Sequence, residues 1–569
     1  MRFHLVVAWM LLLQQAPVPK GSIEGTVVRN GTGEPIADAR VTLAQQGANR
    51  QQSASPFVTT DDRGKFIFTG LDASSYRLTI GANGYVQLAY GQRVPGDQGT
   101  PITLAAGQSV KDISVSMTPA GNVSGAIRDE LGRAAVGVQV QLLRASYNVM
   151  GQRTLNNMGS ATTNDRGEYR IFWVTPGRYY VSAGSFSGPA SLARMLGADG
   201  GGASNVILNN YASKFYPGVV DIADASVIEI QPGAEMSAVN VSVSRQQLHK
   251  IRGRVIDLKT GRPPSAATIS MESRSLSGGR SNFGSVSQSY NATDGTFEIR
   301  DVAPGTYVVS TSIQDASPAG VRTAVGGAAA AVTVADSDVD GITLNLGGTN
   351  SITGHLTIEG RELTAMPNFE RIQVRLAPVD LLAGQSSPYS QPLHSDGTFS
   401  MNDVKPGQYQ VMTCIALESN PAGCARSTPE FYLKSARFDS SDVMNTPLPF
   451  TGAVTTPLEI VLGSKPGQVE GVVVNDRQQP AAGIDVVLVP DQHRDRIDLY
   501  KVVTSGPSGN FTILGVPPGV YKVFAWEALE DFAYFDPDLV KRSEPLAKPV
   551  RVSESDRQTI DLKIIPSGK

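Results

Sequence analysis

Hydrophobic residues fall on the same beat five times along this chain. A Gly is followed two residues later by an aromatic, five further on by an aliphatic, and five after that by a Tyr. The copies are Gly64-Phe66-Leu71-Tyr76, Gly167-Tyr169-Val174-Tyr179, Gly295-Phe297-Val302-Tyr307, Gly397-Phe399-Val404-Tyr409 and Gly509-Phe511-Val516-Tyr521. Within each copy, apolar residues alternate with polar ones (Phe66 and Phe68, Tyr169 and Ile171, Phe297 and Ile299, Phe399 and Met401, Phe511 and Ile513), the period of a half-buried strand. The Gly closes a polar turn, and in four copies a Pro-Gly pair precedes the Tyr (Pro176-Gly177, Pro304-Gly305, Pro406-Gly407, Pro518-Gly519). Pro presets φ and Gly accepts the next turn position, so the chain reverses there. A Tyr just past such a corner can bury its ring and bond its hydroxyl to backbone.

Upstream of each copy lies a short alternating strand built around another Gly: Gly25, Gly125, Gly253, Gly354 and Gly471. A strand Gly weakens propensity, so it marks a bulge or a close backbone approach. Further alternating segments precede the turn (residues 39–43, 138–142, 372–376, 484–488) and close each unit (Ile113-Val115-Met117, Val239-Val241-Val243, Ile342-Leu344-Leu346, Leu458-Ile460-Leu462, Ile560-Leu562-Ile564). About seven short strands per unit predict an all-β chain, a linear array of five antiparallel β-sandwich domains. Their expected bounds are 21–119, 120–247, 248–348, 349–463 and 464–569. Only residues 191–196 and 526–531 look helical, and the Ser/Gly-rich stretches 273–289 and 197–204 read as loop insertions. Short Pro-containing links such as Thr118-Pro119-Ala120-Gly121 predict a semi-rigid rod.

Composition narrows the partners. A net charge of −3 over 569 residues gives no electrostatic support for nucleic-acid or anionic-membrane binding. Residues 1–16 read as a signal peptide with an apolar run at 5–13, and no later run is long enough for a transmembrane span. The protein is therefore expected to be exported, to periplasm, cell surface or medium. Cys414 and Cys424, the only cysteines, flank a Pro/Gly/Asn loop and are a candidate disulfide in an exported chain.

The I-x-G-x-V opening strand, the D-x-G-x-F/Y-x-I strand and the P-G-x-Y corner together resemble the carboxypeptidase regulatory-like domain, a transthyretin-like sandwich related to the carbohydrate-binding-like folds. The resemblance recurs in five copies over nearly the whole chain and implies a tandem-domain protein of bacterial envelope type. Lys214-Phe215-Tyr216-Pro217-Gly218, echoed by Tyr90-Gly91 and Tyr534-Phe535-Asp536-Pro537, looks like an inter-strand segment of such arrays. Zinc carboxypeptidases carry a His-x-x-Glu motif, and none of His4, His249, His355, His394 and His493 begins one. Pilin-type relatives place an isopeptide-forming Lys near the first strand; the corresponding stretches here carry Arg29, Asp129, Asp257 and Asn475, so no such bond is expected.

Candidate chemistry is sparse. The scattered histidines belong to no nucleophile elbow. Asp61-Asp62 sits in a turn, where Asx-turn use is the default. Asp336-Ser337-Asp338-Val339-Asp340-Gly341 resembles the start of a calcium loop, but the twelfth position is Gly347 rather than Glu, so it reads as an acidic turn. No catalytic residue, cofactor or metal is expected. Aromatics outside the core alternation are the candidate ligand-binding residues: Trp526, Tyr534, Phe535, Phe215 and Tyr216, with Tyr85 and Tyr90 behind them, while Trp173 is assigned to packing. The chain thus reads as a non-catalytic, exported binding or scaffold protein of the cell envelope. Polysaccharide or envelope proteins are its candidate partners; the alternative is an accessory subunit acting in trans on a peptidase or outer-membrane transporter.

Overall fold

The computed structural model describes residues 19–46, 55–184, 211–273, 290–316, 322–346, 351–379, 389–418, 428–450 and 456–566, apart from residues 95, 259, 403, 405 and 406. Its strands form ten sheets, and every copy of the repeat contributes to two of them. In the first copy Lys65–Leu71, Gly21–Arg29 and Ser109–Met117 make one sheet, and Phe57–Thr59, Arg40–Gln45, Ser74–Gly81, Leu88–Ala89 and Ile102–Leu104 the other. Ile23, Val27, Phe66, Phe68 and Val115 from the first face Leu43, Tyr76, Leu78 and Ile80 from the second in one buried cluster. Equivalent clusters gather around Phe297 and Tyr307, Phe399 and Tyr409, and Phe511 and Tyr521. The chain divides into two compact units, one of Met1–Val123, Ile171–Gly177 and Glu229–Ser237, the other of Ser124–Arg170, Arg178–Ile228 and Ala238–Lys569.

The glycines of the opening strands explain the repeat. Gly25, Gly253, Gly354 and Gly471 lie directly opposite Phe66, Phe297, Phe399 and Phe511 in the antiparallel register. A Cβ at any of these four glycines, or at Gly125 against Tyr169, would stand 3.2 Å or less from the ring. It would also come within 3.0 Å of a carbonyl oxygen of the closing strand, that of Ile113, Val239, Ile342, Leu458 or Ile560. The missing side chain therefore lets two things approach at once: a ring from one neighbouring strand and backbone from the other. The closing strand is bulged or interrupted beside this Gly in the first, second, third and fifth copies, as expected where a strand Gly admits close backbone approach. Each ring so buried contributes about 2–3 kcal/mol of transfer free energy.

The turn glycines serve a second purpose. Gly64, Gly167, Gly295, Gly397 and Gly509 all have φ between 70° and 83°, a backbone that a Cβ would strain. Each offers its carbonyl to the opening strand: Val27, Ile127, Val255, Leu356 and Val473 donate to them at 2.8–2.9 Å. The corner tyrosines close the motif. The hydroxyls of Tyr76, Tyr307 and Tyr521 donate to the carbonyls of Asp72, Ala303 and Pro517, four residues upstream, at 2.8–2.9 Å. Burial pushes the Tyr307 phenol up to about 12 and raises that of Tyr521 further. A hydroxyl staple accompanies them in three copies: buried Thr60, Thr163 and Ser505 each donate to one backbone carbonyl (Ile36, Ala135, Ala481) and accept from one backbone N–H (Ala39, Val138, Ile484).

Four expectations need correction or completion. The sheets are not wholly antiparallel, because the closing strand runs parallel to the opening one in every copy (Val27 beside Val115, Ile127 beside Val241, Val255 beside Leu344, Leu356 beside Ile460, Val473 beside Leu562). The chain leaves the first sheet, crosses the second and re-enters in its original direction, the long crossover that parallel pairing needs. Residues 526–531 are not helical; Gly519–Trp526 is a strand, and an α-helix follows further on at Pro537–Ser543, with the Asp536 carboxylate accepting from the Asp538 N–H at 2.9 Å. Within the second unit, segments far apart in sequence touch, so the rod of successive neighbours does not hold there: the carbonyl of Pro378 accepts from the Gln152 side chain at 3.0 Å, and Arg144 pairs with Glu530. Cys414, on Gly407–Ile415, is buried and disulfide-bonded; Cys424, the other cysteine, lies outside the described residues, as do the expected signal peptide at 1–16, residues 191–196 and 197–204 and nearly all of 273–289.

Adding a methyl at the strand Gly should be costly. Gly354→Ala is expected to lower hydrogen-exchange protection of Ile352–Ile358 by about 2–3 kcal/mol, the cost of overpacking. Gly81→Ala, whose Cβ would meet nothing closer than 4.0 Å, is expected to be neutral or slightly stabilising.

Candidate functional site

Three of the five candidate aromatics sit together, but inside the protein. Trp526 ends a central strand of the last copy and is only 3% exposed. Its indole stacks on Phe524, ring centres 4.7 Å apart and planes at 3°, and Nε1 donates to Ser543 Oγ at 3.1 Å. Tyr534 is buried and Phe535 half-buried against Tyr500, with centroids 6.0 and 4.7 Å away. The expectation that Trp526 and Tyr534 offer open faces to a sugar is therefore corrected. The alternation that seemed to end at Trp526 continues onto the sheet's other face, which Val487, Val489, Val540 and Ile565 cover. The helix Pro537–Ser543 supplies the lid, and the start signal that sequence reading missed is Asp536 followed by Pro537.

This cluster is where another part of the second unit docks. Gly151, with φ 67°, lies so near that a Cβ would stand 3.0 Å from Ile497 Cγ2 and 3.3 Å from Phe535 Cδ1. Arg144 on Gln139–Tyr147 pairs with Glu530, both only partly exposed. Burial raises the Tyr147 phenol, with the Asp536 charge adding to it. The fourth and fifth copies are tied in the same way. The Tyr432 hydroxyl donates to Glu554 Oε1 at 2.8 Å, and Lys434 Nζ bridges that oxygen and Glu359 Oε2 at 2.8 and 2.5 Å. Hydrogen bonds from Lys434 and Tyr432 hold the Glu554 carboxyl below its usual range. Buried Arg496 donates to both oxygens of Asp498 and reaches Asn445 Oδ1 at 3.3 Å. These charges are spent on joining segments.

Phe215 and Tyr216 are half-buried at a sheet edge. Lys214–Phe215 pairs with Gly177–Gly184, and the Tyr216 N–H donates to Val181 at 2.8 Å. They do not meet the Trp526 group. Beside the interrupted closing strand of the second copy lies an open, polar cleft of about 580 Å³, lined by Thr162, Asn164, Glu168, Arg170 and Asn240 with Tyr169 at its side. Its amides serve the backbone: Asn164 Oδ1 accepts from Arg166 and Glu168, and Asn240 Oδ1 from Ala126, all at 2.8–2.9 Å. The Tyr169 hydroxyl donates to Val239 at 2.8 Å, and burial raises its pKa.

The acidic segment at 336–341 is likewise engaged. Arg252 donates to Asp340 Oδ1 at 3.0 Å, Asp338 Oδ2 at 3.3 Å and Glu298 Oε2 at 2.7 Å. Among the described residues, no three His, Cys, Asp or Glu side chains gather where they could hold a metal ion. Asp61 makes an Asx turn, accepting from Arg63 and Lys65 at 2.9 and 2.8 Å.

Residues 22–118, the whole first sheet pair, match the carboxypeptidase regulatory-like domain family. No curated protein matches the chain. Among solved structures the chain is similar to the Bacillus anthracis TIE protein (14% identity, 57% of this chain and 50% of that one, TM-score 0.16). It is also similar to a Streptococcal ancillary pilin (12%, 56% and 99%, 0.19) and to a minor pilin of Streptococcus agalactiae (11%, 40% and 97%, 0.20). The chain thus spans half the length of the TIE protein, and TM-scores this low carry no argument.

Trp526→Ala should behave as a core deletion, costing the last sheet pair about 3–5 kcal/mol, read by hydrogen exchange on Asp485–Pro490 and Gly519–Trp526. The acidic side of the stability profile has a second test. Hydrogen bonds from Arg252, then Arg300, hold Glu298 at about 2, whereas an unfolded Glu titrates near about 4.3. A folded pKa below the unfolded one means stabilisation that is present above about pH 4.3 and lost as pH falls toward about 2. Acid unfolding of the wild type should steepen across that window, and Arg252→Met should flatten it; equal slopes would contradict the assignment.

Proposed function

We propose that the chain is a non-catalytic, exported scaffold of the cell envelope, built from five self-sufficient sandwiches at 21–119, 120–247, 248–348, 349–463 and 464–569. The observation that carries this reading is how the protein uses its charged and aromatic side chains. Many of the groups displaced from their ordinary pKa values are tied into bridges such as Arg252–Glu298–Asp340 and Glu359–Lys434–Glu554, or are buried tyrosines bonded to backbone, among them Tyr169, Tyr307, Tyr500 and Tyr521, while burial lowers the pKa of the Lys501 ammonium. Active sites displace pKa values to serve a reacting atom; here the hydrogen bonds and burial that displace them join segments or close corners, which is what a scaffold requires. The apolar run at residues 5–13 supports export. Polysaccharide binding through Trp526 and Tyr534 loses its support, because both rings are covered.

The test is expression in an envelope-bearing bacterial host with fractionation, terminal mass spectrometry and cross-linking. The reading predicts a chain in the envelope or medium that has lost its leader and is cross-linked to envelope components. Purified protein should leave peptide and glycoside panels intact. Retention in the cytosol, or turnover of any panel member, would overturn it.

A further inference from the structure

Two strands of the second copy, Gln139–Tyr147 and Arg153–Thr162, outgrow their sandwich. They run nine and ten residues, against six and three, seven and four, and six and four for the corresponding strands of the first, fourth and fifth copies. Gly177–Gly184 pairs with the first of them as far as Leu143, which lies opposite Tyr180. Residues 144–147 go on paired to residues 153–156, so the hairpin leaves the sheet as a two-stranded arm. Its own bonds shape it. Asn148 Oδ1 accepts from the Met150 and Gln152 N–H groups at 2.9 and 3.0 Å, Asn148 Nδ2 donates to Gln152 Oε1 at 3.0 Å, and the Ser146 and Thr154 hydroxyls share a hydrogen bond of 2.9 Å. A two-stranded ribbon on its own is marginal in water, so the order of this arm depends on what it lies against.

The arm ends where the fourth and fifth copies meet. Gln152 Nε2 donates to the Pro378 carbonyl of the fourth at 3.0 Å, while Arg144 pairs with Glu530 and Gly151 lies against Ile497 and Phe535 of the fifth. Pro378 and Glu530 are 226 and 386 residues further along the chain than their partners. The seat has ties of its own. Tyr432 with Glu554, Lys434 between Glu359 and Glu554, and Arg496 on Asn445 join the fourth copy to the fifth through side chains other than those that meet the arm. The arm is held more weakly. Arg144 and Glu530 keep 23% and 35% of their side chains exposed, and such an ion pair, like a single neutral hydrogen bond, adds little alone.

We propose that the arm at residues 144–156 is a latch, which closes the second copy onto the junction of the fourth and fifth and releases while all three sandwiches stay folded. Closed, it lies over Ile497 and Phe535. Released, the second copy is held to that junction by the chain that runs between them, the third copy included, so the protein has two spacings. Salt screens a part-exposed ion pair and leaves apolar cores in place, which makes ionic strength the lever. The latch goes beyond the scaffold reading and does not depend on it.

The experiment is hydrogen exchange on the full chain at about 0.1 M and about 1 M sodium chloride, over which the screening length shortens from about 10 Å to about 3 Å. Wild type is compared with Arg144→Glu and with the reversed pair Arg144→Glu/Glu530→Arg. Amides of residues 144–156 should exchange faster at high salt, and at least about fivefold faster in Arg144→Glu at low salt. The reversed pair should return them toward the wild-type rate. Amides of Gly177–Gly184 and Gly519–Trp526, in the cores that the latch joins, should keep their protection throughout. An arm whose exchange ignores both salt and Arg144→Glu would overturn the proposal. So would an arm that exchanges only in step with Gly519–Trp526, which marks a fixed joint, or a reversed pair that restores nothing. The wild-type salt comparison stands even if a variant fails to fold. None of these outcomes touches the scaffold reading, which rests on location and on the absence of turnover.

Discussion

A residue without a side chain, placed opposite an aromatic ring, is the contact on which each sandwich depends. The opening strand must be touched from both sides, by the ring of the following strand and by the carbonyl of the closing strand. Only Gly leaves room for both. Once Gly354 faces Phe399 and Leu458, the register of three strands is fixed, and a slip of one residue would turn the ring out of the core. The positive-φ turn glycine at 397, whose carbonyl accepts from Leu356, then sets where that ring-bearing strand starts.

Stability on this plan is local, since most contacts that define a sandwich lie within about a hundred residues of chain. That leaves surface chemistry free for joining. Arg144 with Glu530, Lys434 between Glu359 and Glu554, and Arg496 reaching Asn445 are side chains of one copy held by, or beside, those of another. The buried aromatic group around Trp526 and Tyr500 lies at another of these joints, with Gly151 close against Ile497 and Phe535. Exposed pairs add little singly; what these do is specify which faces meet.

Much of this was legible in the sequence because it repeats. Five copies at one spacing separate signal from accident, so the strand glycine, the ring opposite it, the turn glycine and the corner Tyr could all be read from residue positions. The parallel closing strand could not, because alternation has the same period in either direction. The hydroxyl staple of Thr60, Thr163 and Ser505 is not legible, since a lone Ser or Thr before a turn resembles any other. The burial of Trp526 is not legible because its partners Val540 and Ile565 come from later elements that a strand pattern does not announce. Trp173 goes the other way. It reads as packing, yet it is 62% exposed and stands where two other copies have a left-handed Gly, Gly70 and Gly515.

The account's central claim is that ring and glycine are coupled, and a double-mutant cycle on Gly354 and Phe399 tests it most directly. If the ring occupies the space a Cβ would need, Phe399→Leu will lose less stability in a Gly354→Ala background than alone, with a coupling energy of about 1–2 kcal/mol. Strict additivity of the two substitutions would show that glycine and ring act independently and would contradict the account.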